Sequence, residues 1–142
     1  MLVITGATGR TGAVAAKTLL QGGHDVRVVV RSGAAAETWC GLGADAAIAD
    51  YHDEAAMISA FAGADHAYVM TPPLAEATDL LAARVPVEAN LLTAAVAAEL
   101  SHVVLLSAVG AEHVAGSGHV LGLHRMEQKL SDTGLSHTCL RA

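Results

Sequence analysis

Aromatic side chains are nearly missing from this chain: Phe, Tyr and Trp make up 3% of its 142 residues. A core therefore has to be built from Ala, Val, Leu and Ile, which a hydrophobic content of 53% supplies. The length suits one domain with such a core. Cysteine is scarce too. Cys40 and Cys139 are too few and too far apart for a disulfide framework or a metal knuckle. Both sit among apolar neighbours and read as buried free thiols. The eight histidines show no His-Glu-x-x-His or comparable ligand spacing, so no metal is expected. Positive charge is also short: 8 Lys and Arg face 14 Asp and Glu, a net charge of −6. That excludes a general nucleic-acid binder, which needs a basic face. Long apolar runs are missing as well. Leu91 to Ala98 is far too short to span a bilayer and is flanked by Glu88 and Glu99. The start has no basic region leading into a cleavable apolar stretch. The expectation is a soluble, cytoplasmic protein without a membrane partner.

Glycine, by contrast, is placed with purpose. The apolar run Leu2-Val3-Ile4 reads as a buried strand, and it breaks into Gly6, Gly9 and Gly12 before an alanine-rich helical pattern over 13–20. A strand turning tightly into a helix presents free backbone N–H groups and the positive end of the helix dipole at one point, which suits a dinucleotide pyrophosphate. A side chain there would block the turn, the phosphates, or the packing of helix on strand. The spacing is G-x-x-G-x-x-G rather than the commoner G-x-G-x-x-G, so the surrounding β-α-β pattern carries the reading. Gly22-Gly23 ends the helix, and Val26-Arg-Val-Val-Val30 suits a parallel strand buried on both faces.

The residue closing that second strand selects the cofactor. An NAD site usually carries Asp or Glu there, to bind the ribose hydroxyls. This chain has Arg31, whose guanidinium matches a 2′-phosphate with paired, charge-assisted hydrogen bonds. Arg10 in the glycine loop is a second candidate for the same phosphate. NADP(H) is thus favoured over NAD(H), the competing reading being that both arginines are solvated surface charges.

Further along, the pattern predicts a helix over 34–40, a short strand over 46–49 and a helix starting near Asp53 as its cap. A strand over 66–70 ends at Thr71-Pro72-Pro73. The helical region that follows is expected to break at Pro86, an early residue of a new helix. A strand over 103–106 ends at Ser107, 111–122 reads as a loop, 123–130 as a helix and 137–140 as a sixth strand. Alternating strands and helices argue for an α/β doubly wound parallel sheet, a Rossmann fold of about six strands with helices on both faces. One domain spans 1–142. Ligand loops belong at the carboxyl ends of the strands, where the polar residues Thr5, Arg31, Asp50, Tyr51, Thr71 and Ser107 collect. Asp50 is either an acceptor for the adenine amino group or a turn residue. The Thr71-Pro72-Pro73 loop either lines the ribose and nicotinamide or is a rigid turn.

The chain resembles the NmrA-like branch of the atypical short-chain dehydrogenase/reductases. The resemblance rests on Ile4-Thr-Gly-Ala-Thr-Gly-Arg-Thr-Gly12, Gly22-Gly-His-Asp-Val-Arg27, Val30-Arg31 and Ala49-Asp50. It continues through Tyr68-Val-Met-Thr-Pro-Pro73, Ala89-Asn-Leu-Leu92 and His102-Val-Val-Leu-Leu-Ser107. His124-Arg125, Glu127-Gln128, Ser131-Asp-Thr-Gly-Leu135 and Thr138-Cys-Leu-Arg141 complete it. It implies a Rossmann domain for NADP(H) or NAD(H), in a group that includes reductases of quinones and other small molecules as well as redox-sensing regulators that have lost catalysis. By position it places Gly6, Ala7, Thr8, Gly9, Arg10, Thr11 and Gly12 around the pyrophosphate. It places Arg31 at the 2′-phosphate, Asp50 at the adenine, and Thr71, Pro72 and Pro73 at the inner ribose, with Tyr51 counted among the cofactor-binding residues.

Two departures bear on chemistry. The Tyr-x-x-x-Lys pair of the classical enzymes is missing, since neither Tyr51 nor Tyr68 is followed four residues later by Lys. Such a lysine lowers the tyrosine pKa for proton transfer. His124 is then the candidate proton donor, as imidazole titrates in the right range, with Ser107 a candidate substrate contact. His124 has a plainer reading as an exposed helix residue or a cofactor contact. Second, members of the branch usually continue past the last strand into a small substrate-binding domain, most of which this sequence lacks. Two functions are carried forward: an NADP(H)-dependent reductase of a small quinone, carbonyl or enone, and a non-catalytic dinucleotide-sensing or accessory protein. Apolar surface left without that domain also suggests a homo-oligomer.

Overall fold

The computed structural model describes every residue from 1 to 142 except Pro73 and Ala75. The opening apolar triplet forms β1 (Leu2–Ile4), and the glycine turn leads into α1 (Arg10–Gln21). The valine run is β2 (Val26–Val30), followed by α2 (Gly33–Gly41) and β3 (Asp45–Ile48). Next come α3 (Glu54–Phe61), β4 (His66–Val69) and α4 (Leu80–Ala97). The chain ends with β5 (His102–Ser107), a single 3₁₀ turn (Gly118–Val120), α5 (Leu121–Asp132) and β6 (His137–Arg141). Three helices begin on a side-chain cap: Ser32, Asp53 and Asp79 accept from the N–H groups of Ala35, Ala56 and Ala82. Each cap satisfies one of the donors a first turn leaves without a partner.

All six strands are parallel, in the order β3-β2-β1-β4-β5-β6. Leu2 is flanked by Val26 on one side and His66 on the other. Strand order therefore reverses beside β1, and the crevice outside the carboxyl ends of β1 and β4 is the switch point where such sheets take ligands.

Alternation along the strands sorts two apolar layers. Val3, Ala67, Val69, Val103 and Leu105 pack on Met57 and Phe61 of α3, Val87 and Leu91 of α4, and Met126 and Leu130 of α5. Ile4, Val26, Val28 and Val30 face the other way, onto Ala16 of α1 and Trp39 of α2. Helices thus lie on both faces, as expected. The second face is covered over only half its width, however. Tyr68, Val104 and Leu106 are half-buried there and Leu140 is half-exposed.

Two expectations need correction. Pro86 does not start a new helix but lies inside α4. Its ring is on the exposed side of the helix, and so is Ala82, whose carbonyl has no helical N–H partner because proline offers none. Cys40 is exposed rather than buried, because Trp39 is the residue of that turn which packs against the sheet. Among the described residues α4 is the one helix long and apolar enough to cross a membrane, with a mean hydropathy of 1.4 over 18 residues. In the fold it packs against α3 and α5 and carries a fully buried Glu88.

Candidate functional site

The site begins where β1 runs out. Gly6 has φ +66°, a conformation costly for any residue with a Cβ, and a Cβ there would overlap Met70 Sδ. The Gly9 N–H donates to the Gly6 carbonyl at 2.9 Å and closes the turn. Gly12, buried in the first turn of α1, lies so close to the turn that a Cβ would overlap the Gly6 carbonyl oxygen. Turn and helix therefore touch backbone to backbone. Gly9 is the N-cap of α1 and offers no side chain, and the first turn carries no acidic residue. The Ala13 N–H reaches the Gly9 carbonyl at 3.1 Å. The N–H groups of Arg10, Thr11 and Gly12 before it have no intrahelical acceptor. Thr8, Gly9, Arg10 and Thr11 are exposed while Ala7 is buried. The result is an open concavity of backbone donors at a helix N-terminus, with the field of an anion site.

Beneath the turn lies a polar layer. Thr5 is fully buried, and its Oγ1 accepts from the Met70 N–H at 2.8 Å, tying the end of β1 to the end of β4. The Tyr51 hydroxyl accepts from the Gly6 N–H at 3.1 Å, and the Tyr51 carbonyl accepts from Asn90 Nδ2 at 2.9 Å. Burial pushes the Tyr51 phenol above its usual pKa, against the opposing pull of the Gly6 N–H.

Arg31 emerges exposed from the end of β2, next to the Ser32 cap of α2. Asp50 is exposed at the end of β3. Its carboxylate is held below the usual range, first by the His52 backbone N–H at 2.8 Å and then by the His52 ring at 3.0 Å, with a smaller contribution from Arg31. Arg31, Asp50 and Tyr51 therefore meet on one side of the glycine turn. On the other, Thr71 is buried and Pro72 half-buried after β4; Pro73 lies outside the described residues.

The two candidates for chemistry sit at the ends of β5 and α5. Ser107 is buried and donates its hydroxyl to Glu127 Oε1 at 2.5 Å. Glu127 in turn accepts from Arg141 at 3.0 and 2.6 Å. The Arg141 guanidinium is the main reason the Glu127 carboxyl is held below its ordinary pKa, with Ser107 and nearby His124 adding to it against burial. His124 Nδ1 lies 2.8 Å from the Ala111 carbonyl. A carbonyl only accepts, so Nδ1 carries the hydrogen and Nε2 is the ring nitrogen left for a proton.

Sequence reasoning counted Thr5 only among the polar strand ends and gave Asn90 and Glu127 no role of their own. Their signal was faint: Glu88 and Asn90 stand among Val87, Leu91 and Leu92 on the buried side of α4, and a polar residue on an apolar face demands a buried partner.

Comparison with known proteins agrees with this geometry. Over 147 aligned residues the chain is 29% identical to quinone oxidoreductase 2 of Escherichia coli (strain K12), covering 99% of this chain and 48% of that protein. The crystal structure of the E. coli NADPH-dependent quinone oxidoreductase complexed with NADPH superposes with a TM-score of 0.84 at 28% identity, over 99% of this chain and 48% of that one. Citrobacter sp. triphenylmethane reductase complexed with NADP(H) gives a TM-score of 0.88 at 23% identity, over 99% and 49% of the two chains. The chain thus spans about half the length of these relatives. The NmrA-like family matches residues 1–131, and the chain belongs to it.

Proposed function

We propose that this chain is the dinucleotide half of an NADP(H)-dependent reductase acting on a small quinone, carbonyl or enone. The observation that carries the reading is the side-chain-free glycine turn opening onto the N-terminus of α1 at the switch point, with Arg31 at the end of the neighbouring strand. The cradle fits a pyrophosphate because its glycines put no side chain over the backbone donors, and a Cβ at Gly6 or Gly12 would collide with Met70 or the Gly6 carbonyl and force the turn apart. In this reading Gly6 to Gly12 hold the pyrophosphate region, with Arg10 beside it, and Arg31 takes the 2′-phosphate. Asp50 accepts from the adenine amino group, Tyr51 acts from beneath the turn, and Thr71, Pro72 and Pro73 face the inner ribose. The relatives described as complexes with NADPH and NADP(H) support that choice of cofactor, and the quinone oxidoreductase supports the substrate class.

A bound NADPH supplies a hydride; the reduction of a quinone or carbonyl then needs one proton. His124 is our candidate for holding it, on Nε2, with Nδ1–H fixed on the Ala111 carbonyl. Ser107, whose hydrogen is committed to Glu127, serves as an acceptor or a positioning group rather than a proton donor.

The test is calorimetric titration with NADPH, NADP⁺, NADH and NAD⁺, repeated on Arg31→Ala. NADP(H) is expected to bind more tightly than NAD(H), and Arg31→Ala to lose about tenfold or more for the phosphorylated pair alone, as befits a charge-assisted contact. Absence of selectivity in the parent would overturn the cofactor assignment. A second reading, a redox-sensing binder, is favoured by the commitment of the Ser107 hydroxyl to Glu127. It requires different affinities for NADP⁺ and NADPH, because a ligand shifts an equilibrium only through differential affinity.

A further inference from the structure

We propose that Tyr51 and Asn90 are positioning residues for the dinucleotide, forming a buried strut that sets the orientation of the Gly6 peptide and so the shape of the phosphate cradle; the ligand half of this inference rests on the function proposed above. Gly6 is not fixed by its own sterics, since glycine populates positive and negative φ about equally. Something else must fix it. Two contacts do so. Met70 fills the space where a Cβ would stand, and the Tyr51 hydroxyl takes the Gly6 N–H at 3.1 Å.

The phenol is itself held. Tyr51 is 6% exposed and Asn90 7% exposed, and the Asn90 amide, projecting from α4, donates to the Tyr51 carbonyl at 2.9 Å. Thr5, one residue before Gly6, is anchored to Met70 through Oγ1 at 2.8 Å. The segments that leave β1, β3 and β4 are thereby joined under the glycine turn, with α4 as the outer support. Removing the phenolic oxygen leaves the part-buried Gly6 N–H without its acceptor, and an unpaired donor shielded from water is costly. The Thr5–Gly6 peptide then rotates to find another partner, which changes φ at Gly6 and so disturbs the adjoining peptide, whose carbonyl closes the turn onto Gly9. The Gly6 N–H is meanwhile withheld from any ligand, so the strut acts by shape and makes no direct phosphate contact.

This predicts a signature distinct from that of Arg31. A residue meeting the 2′-phosphate discriminates NADPH from NADH, whereas a strut beneath the shared pyrophosphate site treats them alike. The experiment pairs amide hydrogen exchange of the ligand-free protein with titration of NADPH and NADH, on the parent, Tyr51→Phe, Asn90→Ala and a distant core control, Leu130→Ala. In Tyr51→Phe the Gly6 amide should exchange faster, and both dinucleotides should weaken by the same factor, about tenfold for one buried hydrogen bond. Leu130→Ala should lose stability and keep both affinities. Unchanged Gly6 exchange in Tyr51→Phe overturns the strut. A shifted NADPH-to-NADH ratio overturns it too, by making Tyr51 a direct contact. If Asn90→Ala fails to fold, Tyr51→Phe, which removes a single oxygen, still decides the matter. A parent that binds neither dinucleotide overturns the proposed function and the ligand half of this inference together, while the Gly6 exchange rate still tests the strut.

Discussion

Arg125 of α5 grips Glu88 of α4 with two N–H donors, Nε at 2.8 Å and Nη2 at 3.0 Å, and the carboxylate they hold is fully buried. A third bond runs from Arg125 Nη2 to the Leu81 carbonyl. The pair pins α4 to α5 on the face of the sheet that both helices cover. Breaking one partner of a buried pair leaves an uncompensated charge, so Arg125→Met is expected to cost about 3–5 kcal/mol. Replacing both, as Glu88→Leu with Arg125→Met, should recover most of that loss, because the desolvation of two charges is removed with their attraction. Urea midpoints of the single and double variants check this; a double variant as unstable as the single would show that the pair contributes more than its electrostatics.

The glycines separate by position. Gly12→Ala would drive a Cβ into the Gly6 carbonyl, a backbone atom that cannot swing aside. It should destabilise the fold by about 1–3 kcal/mol, the scale of overpacking, and abolish dinucleotide binding. Gly41→Ala, in α2 with no atom within 4 Å of the added carbon, should gain up to about 1 kcal/mol from helix propensity. Thermal unfolding with and without NADPH distinguishes the two. Equal tolerance at both positions would remove the steric basis of the cradle.

Glu127 gives the fold an acid-sensitive joint. Its carboxyl is held below the ordinary value of 4.5, chiefly by the hydrogen bonds from Arg141. A carboxylate with a depressed folded pKa contributes stability above its unfolded pKa and loses it as pH falls through the folded one. The contribution is therefore complete at neutral pH and disappears on the acid side of 4.5. Denaturant midpoints from neutral pH downward should fall less steeply for Glu127→Gln than for the parent. Parallel acid limbs would show that Arg141 and Ser107 do not favour the charged form.

Much of this arrangement was legible in the residues, and the reasons differ by element. β1, β2 and β5 announced themselves because parallel strands covered by helices read as unbroken apolar runs, as Val28-Val29-Val30 does. The glycine spacing located the turn because close backbone approach admits no other residue. Pro86 misled because local propensity disfavours what α4 tolerates where the proline and the residue one turn before it both lie on the exposed side. Tyr51 was read as a cofactor-binding residue beside Asp50, and no local pattern showed that its hydroxyl lies under Gly6, 45 residues earlier. The Ser107–Glu127 bond likewise joins residues 20 apart through the pairing of β5 with β6 and the packing of α5. Such partnerships come from tertiary geometry, which no local pattern encodes.

The uneven cover of the sheet gives neighbouring leucines opposite weights. Leu105 is fully buried against the helices of one face. Leu106, the next residue, points to the half-covered face, where it borders an open cavity with Tyr68, Val14 and Leu140. Leu105→Ala should cost about 2–5 kcal/mol, combining lost transfer energy with the cavity left behind. Leu106→Ala should cost less, about 1–2 kcal/mol, since that side chain is only partly buried when folded. Both are measured by denaturant titration of the same chain. A Leu106 variant as damaging as Leu105→Ala would mean that something covers this face in solution, and the loss should then deepen on dilution if the cover is a second copy.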